Sequence, residues 1–140
     1  MSGPAALLVV AGALCDGRGR VLIARRPPDR HMAGRWEFPG GKVGPLETEA
    51  QALIRELREE LGVAVQEPQF CLRLRHAYPD RIVELSCWIV RNFHGEPRGL
   101  EHQQLKWVPA GQLDREDILE ADLPFIESLQ RLLQLPPPLT

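Results

Sequence analysis

The stretch GKVGPLETEAQALIRELREELGV, residues 41–63, crowds the three glutamates Glu56, Glu59 and Glu60 together. Thr48 and Gln51 have capping-box spacing, and Gly62 suits a left-handed C-terminal cap, so a helix is predicted over 48–61. At 100° per residue Ala50, Leu53, Ile54, Leu57 and Leu61 share one face, which reads as core. The three glutamates form the adjoining stripe. Residues three and four apart are neighbours on a helix, so these like charges repel, and Arg55 is placed to brace Glu59. Two readings of the helix are open. One is a solvated acidic face. The other is a site for a hard cation such as Mg²⁺ or Mn²⁺, which takes oxygen ligands and is commonly shared between carboxylates and substrate phosphates.

The loop ahead of the helix favours the second reading. Gly40 and Gly41 permit close backbone approach, and Lys42 adds a positive charge where phosphates would sit. From Gly41 onward the chain reads G-x5-E-x7-R-E-U-x-E-E-x-G-U, where U is a bulky aliphatic. Gly41, Glu47, Arg55, Glu56, Leu57, Glu59, Glu60, Gly62 and Val63 fill every defined position. With average residue usage such a match arises by chance on the order of once in ten million chains or fewer.

The rest of the chain is ordinary in composition. Its 140 residues, 44% hydrophobic and 26% charged, predict one domain over 1–140 with a Pro-rich tail at 135–140. A net charge of −2 and the lack of a charged tail argue against a general nucleic-acid binder. Cys15, Cys71 and Cys87 form no CxxC pair, so neither zinc nor a disulfide framework is predicted, and a reduced cytoplasm fits. No apolar run is long enough to span a membrane.

Residues 5–14, AALLVVAGAL, read as a buried strand that turns at DGRGR and returns through VLIARR as a hairpin. WEFPGGKVGP is short extended structure running into a loop. QFCLRLRHAY and RIVELSCWIVRNF are two strands, HGEPRGLEHQ a loop, and LKWV a short strand. LPFIESLQRLLQL is a second helix with Pro124 in its first turn. Strands mixed with two helices predict an α/β or α+β fold, a mixed sheet between helices.

The pattern at residues 41–63 is the signature of the Nudix hydrolases, and the chain is identified as a member by it. That resemblance implies the Nudix fold and hydrolysis of a nucleoside diphosphate linked to another group. It implies that Glu56, Glu59 and Glu60, with the Gly40 carbonyl, bind Mg²⁺ or Mn²⁺, and that Glu47 and Arg55 brace the helix. The resemblance extends through VLIARRPPDRHMAGRWEFPGGK, YPDR at 78–81 and ADLPFI at 121–126 to the MutT branch, which converts 8-oxo-dGTP to the monophosphate and pyrophosphate. By that likeness Arg26 contacts phosphate, Phe38 lines the base pocket with its carbonyl near the purine N7, and Tyr78 and Arg81 flank the base. Glu101 becomes a further metal ligand or the general base. The role implied is sanitation of the nucleotide pool, by a monomer or weak homodimer whose partner is a small nucleotide.

Asp122 departs from the MutT pattern, which often carries Asn there. An ionised Asp only accepts hydrogen bonds. Guanine offers two adjacent donors, N1–H and the 2-amino group, whereas cytosine offers one donor beside acceptors, so an ionised Asp122 favours guanine. EHQQLKW at 101–107 also resembles the Nudix branch that hydrolyses CTP. Hydrolysis of dinucleoside polyphosphates or ADP-ribose is a further alternative. A non-catalytic nucleotide-binding Nudix domain is disfavoured because no signature glutamate is lost. The histidines His31, His76, His94 and His102 read as structural or solvent-exposed, and Trp36, Trp88 and Trp107 as core.

Overall fold

The computed structural model describes residues 6–29 and 33–133. Among these residues four strands lead into one α-helix and five more into a second: β1 (Leu7–Leu14), β2 (Arg20–Arg25), β3 (Trp36–Glu37), β4 (Gly40–Lys42), α1 (Glu49–Leu61), β5 (Ala64–Gln66), β6 (Gln69–Tyr78), β7 (Arg81–Val90), β8 (Asn92–His94), β9 (Leu105–Pro109) and α2 (Leu123–Leu133). Two 3-10 turns, Ala110–Arg115 and Glu120–Asp122, lead into α2.

The main sheet runs β4-β1-β7-β6 and is mixed: β1 is parallel to β7 and antiparallel to β4. Strand β1 is buried on both faces, which explains its unbroken apolar run. Val10 and Leu14 pack with Leu53, Leu57 and Leu61 of α1. Ala11 and Ala13 pack with Phe125, Ile126 and Leu129 of α2. The sheet therefore lies between the two helices, as predicted. A Cβ added at Gly12 would stand 3.0 Å from a Leu53 methyl, so glycine lets α1 sit close on β1. Full burial of each of these leucines contributes roughly 1.5–3 kcal/mol.

Helix α1 starts and stops as its sequence dictates. The Thr48 hydroxyl accepts from Gln51 N–H, the Gln51 side chain accepts from Thr48 N–H, and Gly62 adopts φ 72°. On the core face Ala52 is fully buried, whereas Ala50 and Ile54 are only half-buried.

Two expectations are corrected. The chain does reverse at DGRGR, where Asp16 accepts from the backbone N–H of Arg18 and Arg20. Only one bridge, Cys15 to Val21, joins the two arms. Both edges of β1 are taken by β4 and β7, so β2 joins a separate sheet, β3-β2-β9. Likewise RIVELSCWIVRNF is not one strand. Its pairing with β1 ends at Leu14–Val90, and Asn92–His94 then pairs with β5, an element not expected from sequence. The Pro-rich tail, His31 and the last two residues expected for α2, 134 and 135, lie outside the described residues.

Candidate active site

Segment 37–42 is the spine of the site. A Cβ at Gly40 would fall 1.9 Å from the Val10 carbonyl oxygen, so only glycine permits this register against β1. A Cβ at Gly41 would fall 2.4 Å from the Glu56 carboxyl carbon, so the missing side chain is the space that Glu56 occupies. Phe38 N–H faces the Asp122 carboxylate at 3.5 Å, and Gly40 N–H donates to Glu60 at 3.2 Å. One short stretch thus reaches Asp122 at one end and the helix glutamates at the other.

Arg55 fastens the loop to the helix. It donates to both oxygens of Glu47, at 2.6 and 3.0 Å, to Glu56 at 2.9 Å, to Glu59 at 3.3 Å and to the Lys42 carbonyl at 3.1 Å. Glu47 also accepts from Gly44 N–H at 2.7 Å. The Arg55 guanidinium, with that N–H, holds the Glu47 carboxyl down to about 2.

A cavity of about 570 Å³ collects most of the predicted residues in its wall: Arg26, Phe38, Gly40, Gly41, Lys42, Glu56, Glu60, Tyr78, Arg81, Glu101 and Asp122. Arg55 and Glu47, paired behind the glycine loop, stand outside that wall, and so does Glu59. The Glu59 side chain is 57% exposed and turned to Arg55. Gly62, predicted as structural, is the helix cap. Arg26 pairs with Glu37 at 2.6 Å. Phe38 is buried with its ring 4.9 Å from that of Phe125, so it serves core and cavity wall at once. Tyr78 and Arg81 face each other across the β6–β7 turn.

The electrostatics centre on buried carboxyls. Burial pushes Glu60 up to about 9, with the charges of Glu56, Glu101 and Glu37 adding to it. Burial also raises Glu56, against the pull of Arg55. Asp122, buried, is pushed up to about 7 by desolvation and then by the charge of Glu37. An Asp122 read from sequence as an ionised acceptor is therefore balanced between acid and carboxylate near neutral pH.

A hard divalent cation fits this donor set. Burial and like charges raise the cost of ionising Glu56 and Glu60, and a bound cation offsets that cost. Among the described residues no three Asp, Glu, His or Cys side chains form a ready-made cage. Arg55 accounts for part of this, since it draws Glu56 and Glu59 to itself. Mg²⁺ characteristically uses one or two carboxylates with waters and substrate phosphates, so a complete protein cage is not required.

Sequence reasoning missed two polar residues of the site. Glu37 lines the cavity and acts on both Glu60 and Asp122. An acidic residue next to the glycine loop was its available signal. Gln103 lines a smaller adjoining cleft with Glu60 and Glu101, and no local pattern marks it. The histidines and tryptophans lie away from the main cavity wall among the described residues.

The sequence pattern of the NUDIX domain family matches residues 10–128, and the chain belongs to this family of hydrolases. It is similar to a CTP pyrophosphohydrolase of Escherichia coli, 37% identical over 90% of this chain and 93% of the relative. It is equally similar to an 8-oxo-dGTP diphosphatase of Escherichia coli, 38% identical over 90% of this chain and 98% of the relative. Among solved structures, the E. coli ORF135 protein superposes with a TM-score of 0.82 at 37% identity, covering 92% of this chain and 91% of that one. A MutT structure from a study of the Aliivibrio salmonicida and Vibrio cholerae proteins gives 0.81 at 32% identity, covering 91% and 99%. Among the described residues no helix is long and apolar enough to cross a membrane.

Proposed function

We propose that the chain is a Mg²⁺-dependent nucleoside triphosphate pyrophosphohydrolase that converts 8-oxo-dGTP to 8-oxo-dGMP and pyrophosphate, with Mn²⁺ as a substitute metal. The supporting observation is a single cavity that joins carboxyls and cations to a base-sized polar anchor: Glu56, Glu60, Glu101, Lys42 and Arg26 with Phe38, Tyr78 and Asp122. Glu56, Glu60 and Glu101, with the Gly40 carbonyl, would hold the metal, and Glu59 would join them on leaving Arg55. When bound, the cation neutralises phosphate oxygens and activates water for in-line attack. Arg26 and Lys42 receive the phosphates by charge-assisted hydrogen bonds. Arg55 keeps the Glu56 carboxylate aimed into the cavity, and Glu101 is the candidate base. Phe38 and Tyr78 enclose the base, Arg81 flanks it, and Asp122 reads its edge. No covalent intermediate is required, because positioning and charge neutralisation suffice for phosphoryl chemistry. The reading places the chain as one compact catalytic domain acting in the cytoplasm on a free nucleotide, as a monomer or weak homodimer, to keep oxidised guanine out of DNA.

A second reading, hydrolysis of CTP or a modified pyrimidine triphosphate, is favoured by one observation. Asp122 near neutrality is also an acid, which both donates and accepts and so matches the cytosine edge. The deciding experiment is pyrophosphate release from 8-oxo-dGTP, dGTP and CTP at sub-micromolar substrate, with Glu56→Gln as the blank. A kcat/KM for 8-oxo-dGTP orders of magnitude above the others supports the first reading. A preference for CTP replaces it with the second. Turnover by Glu56→Gln equal to the parent refutes the site.

A further inference from the structure

We infer that Gln103 is a positioning residue: its carboxamide ties the loop carrying Glu101 to the end of α1 carrying Glu60, and so sets how the two carboxyls face each other. The inference rests on the functional reading of Glu101 given above.

The last carbonyls of a helix have no partner within it. Here the loop after β8 returns across the end of α1 and supplies them. Arg98 N–H donates to the Leu61 carbonyl at 3.0 Å, and Leu100 N–H donates to the Glu60 carbonyl at 3.0 Å. The loop then reverses tightly. His102 adopts φ 66° and donates to the Gly99 carbonyl at 3.0 Å. A Cβ at Gly99 would lie 2.1 Å from the Gln103 carbonyl oxygen, so the reversal closes only over glycine.

This turn brings the half-buried Gln103 side chain back beneath Glu101. Its Nε2 donates to the Glu60 carbonyl at 3.1 Å, and its Oε1 accepts from Glu101 N–H at 2.8 Å. One carboxamide therefore uses a donor toward the helix and an acceptor toward the loop. Only an amide side chain offers both on one short rigid plane. Glu101 itself is exposed on a turn, where little else fixes it. Both of these Gln103 hydrogen bonds go to main-chain atoms, not to either carboxyl group. Gln103 acts through the backbone of both glutamates.

The test uses the full chain with Gln103→Leu, which removes both hydrogen bonds. A second variant, Gln103→Glu, keeps the shape but cannot donate to the Glu60 carbonyl, and it serves if the leucine variant does not fold. Outer-shell partners of this kind change activity or metal affinity 10–100-fold. The expected result is a kcat lowered at least about tenfold with the nucleotide KM within about threefold. In metal-free Gln103→Leu, hydrogen exchange at the Glu101 amide should quicken, a readout independent of catalysis, whereas Gln103→Glu keeps that acceptor and is read by kcat. The kcat loss should vanish in a Glu101→Ala background, since the two residues act as one unit.

An unchanged Glu101 amide in Gln103→Leu, or the same kcat loss in both backgrounds for either variant, overturns the inference. Full turnover by Gln103→Leu beside a crippled Glu101→Ala overturns it while sparing the functional reading. Full turnover by Glu101→Ala overturns both.

Discussion

The Arg55 guanidinium grips both carboxylate oxygens of Glu47, Nη2 to Oε1 at 2.6 Å and Nε to Oε2 at 3.0 Å. This fork joins the glycine loop to α1 and leaves Arg55 Nη1 for Glu56. Lysine presents a point charge instead of a fork and cannot hold both. Arg55→Lys should therefore lower kcat by about tenfold to a hundredfold, as for other supports of a metal site, with circular dichroism unchanged. Retention of full kcat would show that Glu56 needs no such support.

The same pair predicts a pH-dependent stability. Glu47 is held at about 2, below its ordinary value of 4.5, first by Arg55. A depressed carboxyl contributes stability that is present above its unfolded pKa and is lost as pH falls through the folded one. Melting temperatures of the parent and Glu47→Gln should differ most at pH 6–7 and converge below about pH 4.5 toward pH 2. A gap that stays constant with pH would place the effect in packing, not charge.

Two adjacent glycines should fail differently. A methyl at Gly40 meets the backbone of β1 at 1.9 Å, which cannot yield without breaking the β1–β4 pairing. A methyl at Gly41 meets first the Glu56 carboxyl, the end of a flexible side chain that can move aside by giving up its bond to Arg55. Gly40→Ala should destabilise the fold by about 1–3 kcal/mol or more, the usual range for overpacking. Gly41→Ala should melt near the parent but lose at least about tenfold in kcat, because its Glu56 is displaced. Reversed phenotypes in melting and turnover assays would contradict the assignment of Gly41 as the recess for Glu56.

Burial of Glu60 makes a prediction about the metal-free protein. Its folded value near 9 stands above the ordinary 4.5, chiefly through desolvation. A raised carboxyl costs stability progressively as pH rises from the unfolded value toward the folded one. Glu60→Gln should therefore melt higher than the parent at pH 8–9, with little difference near pH 5. Added Mn²⁺ should raise the melting temperature of the parent and not that of the variant, since a ligand of the native state stabilises it by mass action. Equal Mn²⁺ shifts in both would remove Glu60 from the metal set.

What sequence made legible follows from the range of each interaction. Helix α1, its caps and the recess at Gly41 depend on residues within about twenty positions, and each carries a local pattern. The parting of β1 from β2 depends on which strands occupy their edges, a property of β4, β7, β3 and β9 together. Glu59 illustrates a further limit. Spacing places it with Glu56 and Glu60, but rotamer and Arg55 turn it outward. Gln103 was invisible because its two partners are both backbone atoms, one of them 43 positions away. The raised protonation of Asp122 is not legible because burial, which sets it, is not written in any single residue.

That protonation yields the sharpest substrate prediction. Asp122 is pushed up to about 7, so it is mostly an acid at pH 6 and mostly a carboxylate at pH 8. The carboxylate accepts twice, matching guanine N1–H and its 2-amino group. The acid donates once and accepts once, matching guanine O6 with N1–H but equally cytosine N3 with its amino group. Preference for guanine over cytosine nucleotides should therefore strengthen from pH 6 to pH 8, by about tenfold for each 1.4 kcal/mol of differential binding. The ratio of kcat/KM values for dGTP and CTP, taken on one enzyme preparation at each pH, cancels changes in metal binding common to both. In Asp122→Asn the amide always donates and accepts, so the ratio should be flat and lie near the parent's acid limit. A parent ratio that does not move across this range would mean that Asp122 does not read the base.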